Sequence, residues 1–350
     1  MASQVIVYNP AGFPLTDLDV STIRSWTINE IGDCAFDISI NDPKATQAYL
    51  QFGNIVYVQH DKLPDWVGFI SDDPEGRHWE YGVIKVMCSD AKKYFSWRGI
   101  QYGQYVMNVE DQFRNIVRMS QRPNTGLNVL EGDILRGGRT LGYEGGMQAS
   151  EALDLLVEHA NVEWTVTPKI AQDGRLELYA NLYERKKSGK YIDMTLDESN
   201  TKAIARILSE VGPIYNDVAY MSRADTYNSR IFGNKHQDLV SIGKYGLREF
   251  TDENEAVTVQ GLDEAAKDFL AEHSEPRRTV PMVLLDVGNT YNYSALGNRF
   301  TWQSAAGGFG DNTGIGSAAE IQIAHMEYAD ETNELQVELE LLQDTRERIS

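Results

Sequence analysis

The sequence predicts an α+β fold dominated by β-strands, and three observations predict it. Short runs of β-branched and aromatic residues recur along most of the chain, separated by clusters of Pro, Gly, Asn and Asp. Several of these runs alternate apolar and polar residues with the period of a half-buried strand. Helical periodicity is confined to a few segments between the strand-rich parts. The stretch 54–98 shows the pattern most clearly. Ile55, Val56, Tyr57 and Val58 form one run. Trp66, Gly68 and Ile70 then share one face of a strand whose other face carries Val67 and Phe69, and a third run extends from Val83 to Cys88. This reads as an antiparallel meander. Its outer residues are not uniformly polar, so the sheet must close or pack on something.

Composition narrows the class. At 350 residues, 42% hydrophobic and 24% charged, the chain has the make-up of a soluble globular protein of two or three domains. With 52 acids against 32 bases the net charge is -20, which excludes the basic footprint of a sequence-reading nucleic-acid protein. It leaves room for a channel through which a polyanion slides without sticking. No apolar run reaches membrane-span length, and the N-terminus has neither a basic region nor an apolar stretch, so no membrane span and no secretory signal are expected. The protein is expected to be made, and used or assembled, in the cytoplasm. Cys34 and Cys88 each sit in a strand-like run, as reduced core thiols or as a disulfide pair.

Taken in order, Val5 to Tyr8 is a first strand, ended by Asn9-Pro10-Ala11-Gly12. Ile23 to Ile28 is a second. Cys34, Phe36, Ile38 and Ile40 alternate with Ala35, Asp37 and Ser39 in a third, stopped by Asn41-Asp42-Pro43. A helical turn is placed over Ala45 to Leu50. With the meander, residues 1 to about 100 make six or seven strands, enough for a small barrel or sandwich.

The texture changes after Gly103. Asn108 caps a helix carrying Phe113, Ile116 and Val117. Ser150 is expected to cap another, with Ala152, Leu153, Leu156, Val157 and Ala160 on one face and Asn161 at its end. Val162 to Val166 and Leu176 to Leu182 form a hairpin pair, so 106–200 reads as a mixed α+β unit. Ala203 to Leu208 suits a helix or a strand. Ile214 to Met221 is a strand. Leu262 to Ser274 is the clearest helix, stopped by Pro276. Val280 to Val287 and Phe300 to Trp302 are strands. The chain ends in a hairpin in which Leu335, Val337, Leu339 and Leu341 alternate with Gln336, Glu338 and Glu340.

Candidate chemistry is sparse. His60, His78, His159, His236, His273 and His325 show no metal-ligand spacing, so no metal and no cofactor are expected. His159 is placed near a helix C-terminus, where a cation is favoured. Acid pairs such as Asp72-Asp73 and Glu110-Asp111 are what any chain with 52 acids offers, and a glycan hydrolase built on them has no further support. There is no nucleophile elbow. Trp26, Trp66, Trp79, Trp97, Trp164 and Trp302 would suit a carbohydrate-binding module, but most fall in alternating apolar runs and read as core. Two glycine-rich runs, 135–146 and 305–316, are neither P-loops nor dinucleotide fingerprints, and read as loops. The second carries Gly307, Gly308, Phe309, Gly310 and Ile315, a candidate inter-subunit loop with two sizeable apolar groups to make the contact.

Several stretches together resemble the baseplate hub, or tail-tip hub, proteins of tailed bacteriophages, most nearly a hub family from siphophages of actinobacteria. They are Trp26-Thr27-Ile28-Asn29-Glu30-Ile31-Gly32, Gly53 with the strand that follows, Trp66 to Ile70, Ile214-Tyr215-Asn216-Asp217-Val218, the helix ending before Pro276, and the final hairpin. The resemblance implies two related antiparallel β-barrels per chain with α+β inserts. On this division 1–105 is the first barrel, 106–200 an insert, 201–245 with 278–350 the second barrel, and 246–277 a small helical insert. It implies a non-enzymatic virion protein and a homotrimer. It also implies tail tube and tip or fibre proteins as partners, with genomic DNA passing through the lumen without specific binding. Charge extends this picture. The lumen wall is expected to be neutral or acidic, and Glu334, Gln336, Glu338 and Glu340 supply a polar face on the last strand.

Overall fold

The computed structural model describes residues 3–71, 77–121, 127, 129–185, 187–203, 209–211, 213–223, 229–275, 277–303 and 318–342. Alternation in the first hundred residues produces a sheet with two dry faces. Cys34, Phe36 and Ile38 of Asp33–Ser39 point to one side with Val56, Val58, Trp66, Ile70, Ile84, Val86 and Cys88. Ile55, Tyr57, Val67 and Phe69 point to the other. Strand Trp66–Ile70 is therefore buried at every position, which accounts for a meander without a polar face. Gly68 is required there, because a Cβ would lie 2.3 Å from the Trp66 ring and 2.2 Å from the Ser89 carbonyl oxygen. Cys34 and Cys88 are directly opposed across Asp33–Ser39 and Val83–Asp90, and both are free thiols. Burial pushes Cys34 up to about 12, where the reactive thiolate is scarce at neutral pH.

The strands join into one sheet of fifteen. Its path runs Pro14–Leu18, Gln4–Tyr8, Ile55–Gln59, Trp66–Ile70, Val83–Asp90, Asp33–Ser39, Thr22–Thr27, then Ala318–Ala329, Glu334–Leu341, Arg277–Leu284 and Thr201–Ala203. Arg77–Glu80, Ser209–Val211, Arg299–Gln303 and Tyr191–Leu196 pair beside it. The expected closed barrels are not found among the described residues. Among the described residues no ladder joins the two ends of this path, and the free edge of Thr22–Thr27 is taken by the C-terminal hairpin instead. Nor are all pairs antiparallel, since Tyr191–Leu196 runs parallel to Arg299–Gln303. The hydrogen-bonded orders of the N-terminal and C-terminal parts differ, so the ladders give no strand-for-strand equivalence between them.

One strand makes the fusion. Ala318–Ala329 pairs through residues 318–322 with Arg299–Gln303 and through 325–329 with Thr22–Thr27. Its register breaks between Ile323 and His325, where its neighbour changes. A twelve-residue strand is long enough to serve two partners in series along one edge.

Elements between residues 104 and 184 cover one face of the N-terminal sheet. Helix Val109–Ser120 is capped by the Asn108 side chain, as its sequence predicts, and buries Phe113, Ile116 and Val117. Helix Ala149–Ala160 begins two residues earlier than a Ser150 cap suggests. Its cap is Gln148, held in a reciprocal box with Glu151, and Asn161 ends it in the left-handed conformation at φ 53°. Val162–Ile170 and Leu176–Glu184 form the expected hairpin, and Val129–Ile134 adds parallel to it. Part of the first glycine-rich run is a strand rather than a loop, because Thr140–Glu144 pairs with Gln104–Asn108. Asp217–Ser222, expected in the second barrel, instead lies between His236–Gln237 and Glu249–Asn254 in a separate three-stranded sheet. Helix Val259–His273 packs on that sheet through Ala266 and Leu270. Residues 204–208, read as helix or strand, lie outside the described residues.

Candidate assembly interface

Gly307, Gly308, Phe309, Gly310 and Ile315 lie outside the described residues. The strands that bound their segment are paired, with Gln303 opposite Ala318. Glu334–Leu341 has the alternation its sequence predicts, with Leu335, Val337 and Leu339 buried and Glu334 and Gln336 exposed. Glu338 and Glu340 border a cleft of about 370 Å³, together with Glu30, Glu163, Ile28 and Val157. Arg185 also lines it, but its guanidinium is bonded to Glu272 at 2.7 Å. Acids therefore dominate the cleft.

Beside this cleft the two halves of the large sheet are locked by a buried ion pair. Arg24, 1% exposed, reaches Asp330 at 3.3 Å from the strand next to it. Its guanidinium also lies 4.9 Å from the Tyr328 ring and 5.6 Å from the Trp26 ring. Asp330 accepts from Ser3 Oγ at 2.5 Å and from Thr22 N and Oγ1 at 2.8 Å each. Burial pushes the Asp330 carboxyl up, but the Ser3 and Thr22 hydrogen bonds and the Arg24 charge together hold it below the usual carboxylate range. Further along the seam, Lys62 pairs with Asp286, and Leu63 joins the C-terminal core. Sequence reasoning missed this lock, since Arg24 reads there as an ordinary strand residue.

Exposed apolar side chains gather at two other places. The first is the turns of the N-terminal sheet, where Phe13 (49%) and Phe52 flank the Tyr8 and Ile55 pair while Ile40 and Tyr81 (99%) flank the Ser39 and Val83 pair, further along Val83–Asp90 than the Phe69 register. The second place is helix Leu239–Tyr245. Its cap Asp238 accepts from the Val240 and Ser241 amides at 3.0 and 3.1 Å. Asp238, Ser241 and Asn216 are each 0% exposed. Asn216 donates to Gly246 O at 2.7 Å and to Ser241 Oγ at 3.3 Å, and accepts from Arg248 N at 2.7 Å. Ser241 Oγ donates to Ser274 O at 2.5 Å. Leu239, Val240 and Leu247 point outward, 63%, 53% and 57% exposed. The helix is thus polar inside and apolar outside. The pattern Asp238-Leu239-Val240-Ser241 carries that signal, since a cap at Asp238 places Ser241 on the same side.

Among the described residues no three His, Cys, Asp or Glu side chains could hold a metal, and no helix is long and apolar enough to cross a membrane. The surroundings of His159 oppose the dipole-favoured charge expected for it. Burial, reinforced by Arg139 and Arg223 and opposed by Glu158 and Glu255, lowers its pKa. Trp66, Trp164 and Trp302 are core residues, Trp26 and Trp97 are half-buried, and no tryptophan platform faces solvent among the described residues.

No protein-family model matches the chain, and no curated protein matches it. Its fold does have solved counterparts. The 43 kDa tail protein of prophage MuSo2 from Shewanella oneidensis matches at TM-score 0.61 and 12% identity, over 98% of this chain and 99% of that one. A tail protein from Neisseria meningitidis MC58 matches at 0.60 and 14%, over 99% and 98%. Prophage tail protein gp18 from Listeria monocytogenes EGD-e matches at 0.58 and 12%, over 96% and 94%. The chain has the fold of these tail proteins across essentially its whole length.

Proposed function

We propose that this chain is a structural protein of a phage-type tail tip or baseplate, a hub that forms a trimeric ring around the DNA exit channel. One observation carries the reading: the near end-to-end fold match to tail proteins, inserts included, rather than to one module of them. In that ring three subunits meet a sixfold tail tube, and the seam at Arg24 and Asp330 holds the two parts of each subunit's large sheet together. On this reading the tail tube and the tip or fibre proteins are the neighbours, and the apolar turns at Phe13, Ile40, Phe52 and Tyr81 suit a buried contact with one of them. The loop carrying Gly307, Gly308, Phe309, Gly310 and Ile315 contributes between subunits. The narrower kinship, to the siphophage hub family of actinobacteria, belongs to the same proposal.

The protein acts without catalysis in this reading, and the virion is its location. The acidic Glu338 and Glu340 cleft belongs on or near a channel wall, since carboxylates do not add phosphate affinity through counterion release. Negative-stain imaging of the purified chain tests the proposal. A threefold ring with a central hole supports it. A compact monomer that turns over cell-wall glycan, with turnover lost on one Asp or Glu substitution, overturns it in favour of a hydrolase.

A further inference from the structure

We infer that the turn 60–63 is a pH-operated latch between the two parts of the large sheet, closed while His60 is neutral and released when its Nδ1 takes a proton. The latch lies within one chain and works without assembly. The turn follows strand Ile55–Gln59 and reaches across the seam. Leu63, buried, belongs to the C-terminal core with Leu284, Tyr291, Phe300 and Tyr328, and Lys62 pairs with Asp286. One imidazole folds this turn. His60 Nδ1 accepts from the Lys62 amide at 3.1 Å and from the Leu63 amide at 3.2 Å. Among the described residues no backbone-to-backbone hydrogen bond holds residues 60–65.

The hydrogen bonds fix the tautomer. A ring nitrogen that accepts from two amides carries no proton, so the neutral ring holds its proton on Nε2. Nε2 faces Tyr328 Oη at 3.4 Å, and Tyr328 Oη donates to Asn333 Oδ1 at 2.7 Å, which leaves the hydroxyl free to accept. The two rings meet edge to face with centroids 5.1 Å apart. A second proton can go only on Nδ1. There it sets one N–H against two others, and the turn loses both of its bonds. The surroundings resist that proton. Burial opposes it, and so do the charges of Arg24 on the neighbouring strand and of the terminal amine. Asp330 beyond Tyr328 and Asp61 on the turn itself favour it, and the balance holds the ring below its ordinary value of 6.5. The open turn returns the ring to water and to that value, so the open form binds the proton first. The latch is therefore closed above about pH 6.5, and below it opening grows by about tenfold per pH unit until the closed ring also titrates. Release withdraws Leu63 from the C-terminal core and leaves the Thr22–Thr27 ladder and the Arg24–Asp330 pair to hold the seam.

Hydrogen exchange of the full chain, read by mass spectrometry at about pH 7.5 and about pH 5.5, tests this. After correction for the intrinsic pH dependence of exchange, the peptide carrying the Lys62 and Leu63 amides should exchange about three- to tenfold faster at the lower pH. His60→Asn keeps a side-chain acceptor for the amides that follow it and does not titrate in this range, so its protection should be the same at both. His60→Ala removes the acceptor and should exchange fast at both. Reading residues 60–65 keeps the result apart from any loosening of residues 215–275 near His159. Corrected wild-type exchange that does not change with pH overturns the latch, whatever the variants do. So does a pH dependence in His60→Asn equal to that of wild type, or wild-type protection in His60→Ala at the higher pH.

Discussion

Strand Asp33–Ser39 and helix Leu239–Tyr245 are both amphipathic, and they face opposite ways. The strand puts Cys34, Phe36 and Ile38 against Val86 and Cys88, in a core where each full burial contributes about 1.5–3 kcal/mol and no hydrogen bond is needed. The helix puts Asp238 and Ser241 inward, where every polar atom needs a partner and the net gain per hydrogen bond is only about 0.5–1.5 kcal/mol. The first arrangement makes a scaffold that stands without help. The second specifies one geometry at low net stability and leaves apolar area exposed. The two arrangements occupy different places in the chain.

The comparison breaks most visibly in the scaffold. Trp66→Ala removes a fully buried ring whose indole donates to Ser25 O at 3.0 Å, and it should cost about 3–5 kcal/mol in urea unfolding. A loss near 1 kcal/mol would mean that the N-terminal core is far looser than its burial indicates.

The seam tests a third kind of interior, a buried charge. Asp330→Asn leaves Arg24 charged and fully enclosed, and should cost about 3–5 kcal/mol. Adding Arg24→Met should recover most of that, since an apolar replacement of the whole pair is close to neutral. If the double variant is no better than Asp330→Asn alone, the ion pair is not what holds the halves together. Asp330 also sets a pH limit. Its folded pKa is depressed, so its contribution is present above the unfolded carboxylate value near 3.9 and is lost as pH falls through the folded one.

In the small unit, Asn216→Ala leaves Gly246 O, Ser241 Oγ and Arg248 N short of a partner. It should cost about 1–3 kcal/mol, confined to residues 215–275. Hydrogen exchange resolves the location: faster exchange there with unchanged exchange in Asp33–Ser39 is expected, and uniform acceleration would contradict the division into two kinds of interior.

What was legible in the sequence follows the same division. Alternation located Asp33–Ser39 and the final hairpin because apolar burial writes a period-two pattern, whereas Trp66–Ile70 stood out as a short apolar run buried on both faces. Capping chemistry located Val109–Ser120 from Asn108 but misplaced the next start, where the uncommon cap Gln148 won over Ser150. Pro14–Leu18 carries few β-branched residues and was not legible, because its place comes from pairing with Gln4–Tyr8 and not from its own propensity. The barrel expectation failed for a related reason. Which strand takes the free edge of Thr22–Thr27 is a long-range choice, made by residues some 300 positions away, and local patterns do not encode it. The Leu239, Val240 and Leu247 face was missed because apolar residues in a short helix are read as core by default.

The smallest effect expected concerns His159, which sits where helix Ala149–Ala160 meets the small unit. Asn254 fixes its tautomer. Asn254 Oδ1 accepts from the Ala256 amide at 2.9 Å, so its Nδ2 is the group that faces His159 Nδ1 at 3.2 Å. A donor there requires an unprotonated Nδ1, and a second proton on the ring would set two donors against each other in a largely buried site. Burial lowers the folded pKa below the ordinary value of 6.5, with Arg139 and Arg223 in the same sense and Glu158 and Glu255 opposing. The unfolded chain then binds the proton first, so stability falls as pH drops through the unfolded value and levels off below the folded one. This window lies above that of Asp330, so on acidification the small unit should loosen from the insert before the seam fails. Thermal midpoints of wild type and His159→Gln, taken from about pH 7.5 to 5, check it. Wild type should lose stability across that range and the variant should lose less. Equal slopes would show that His159 titrates alike folded and unfolded, and a steeper variant would reverse the sign of the argument.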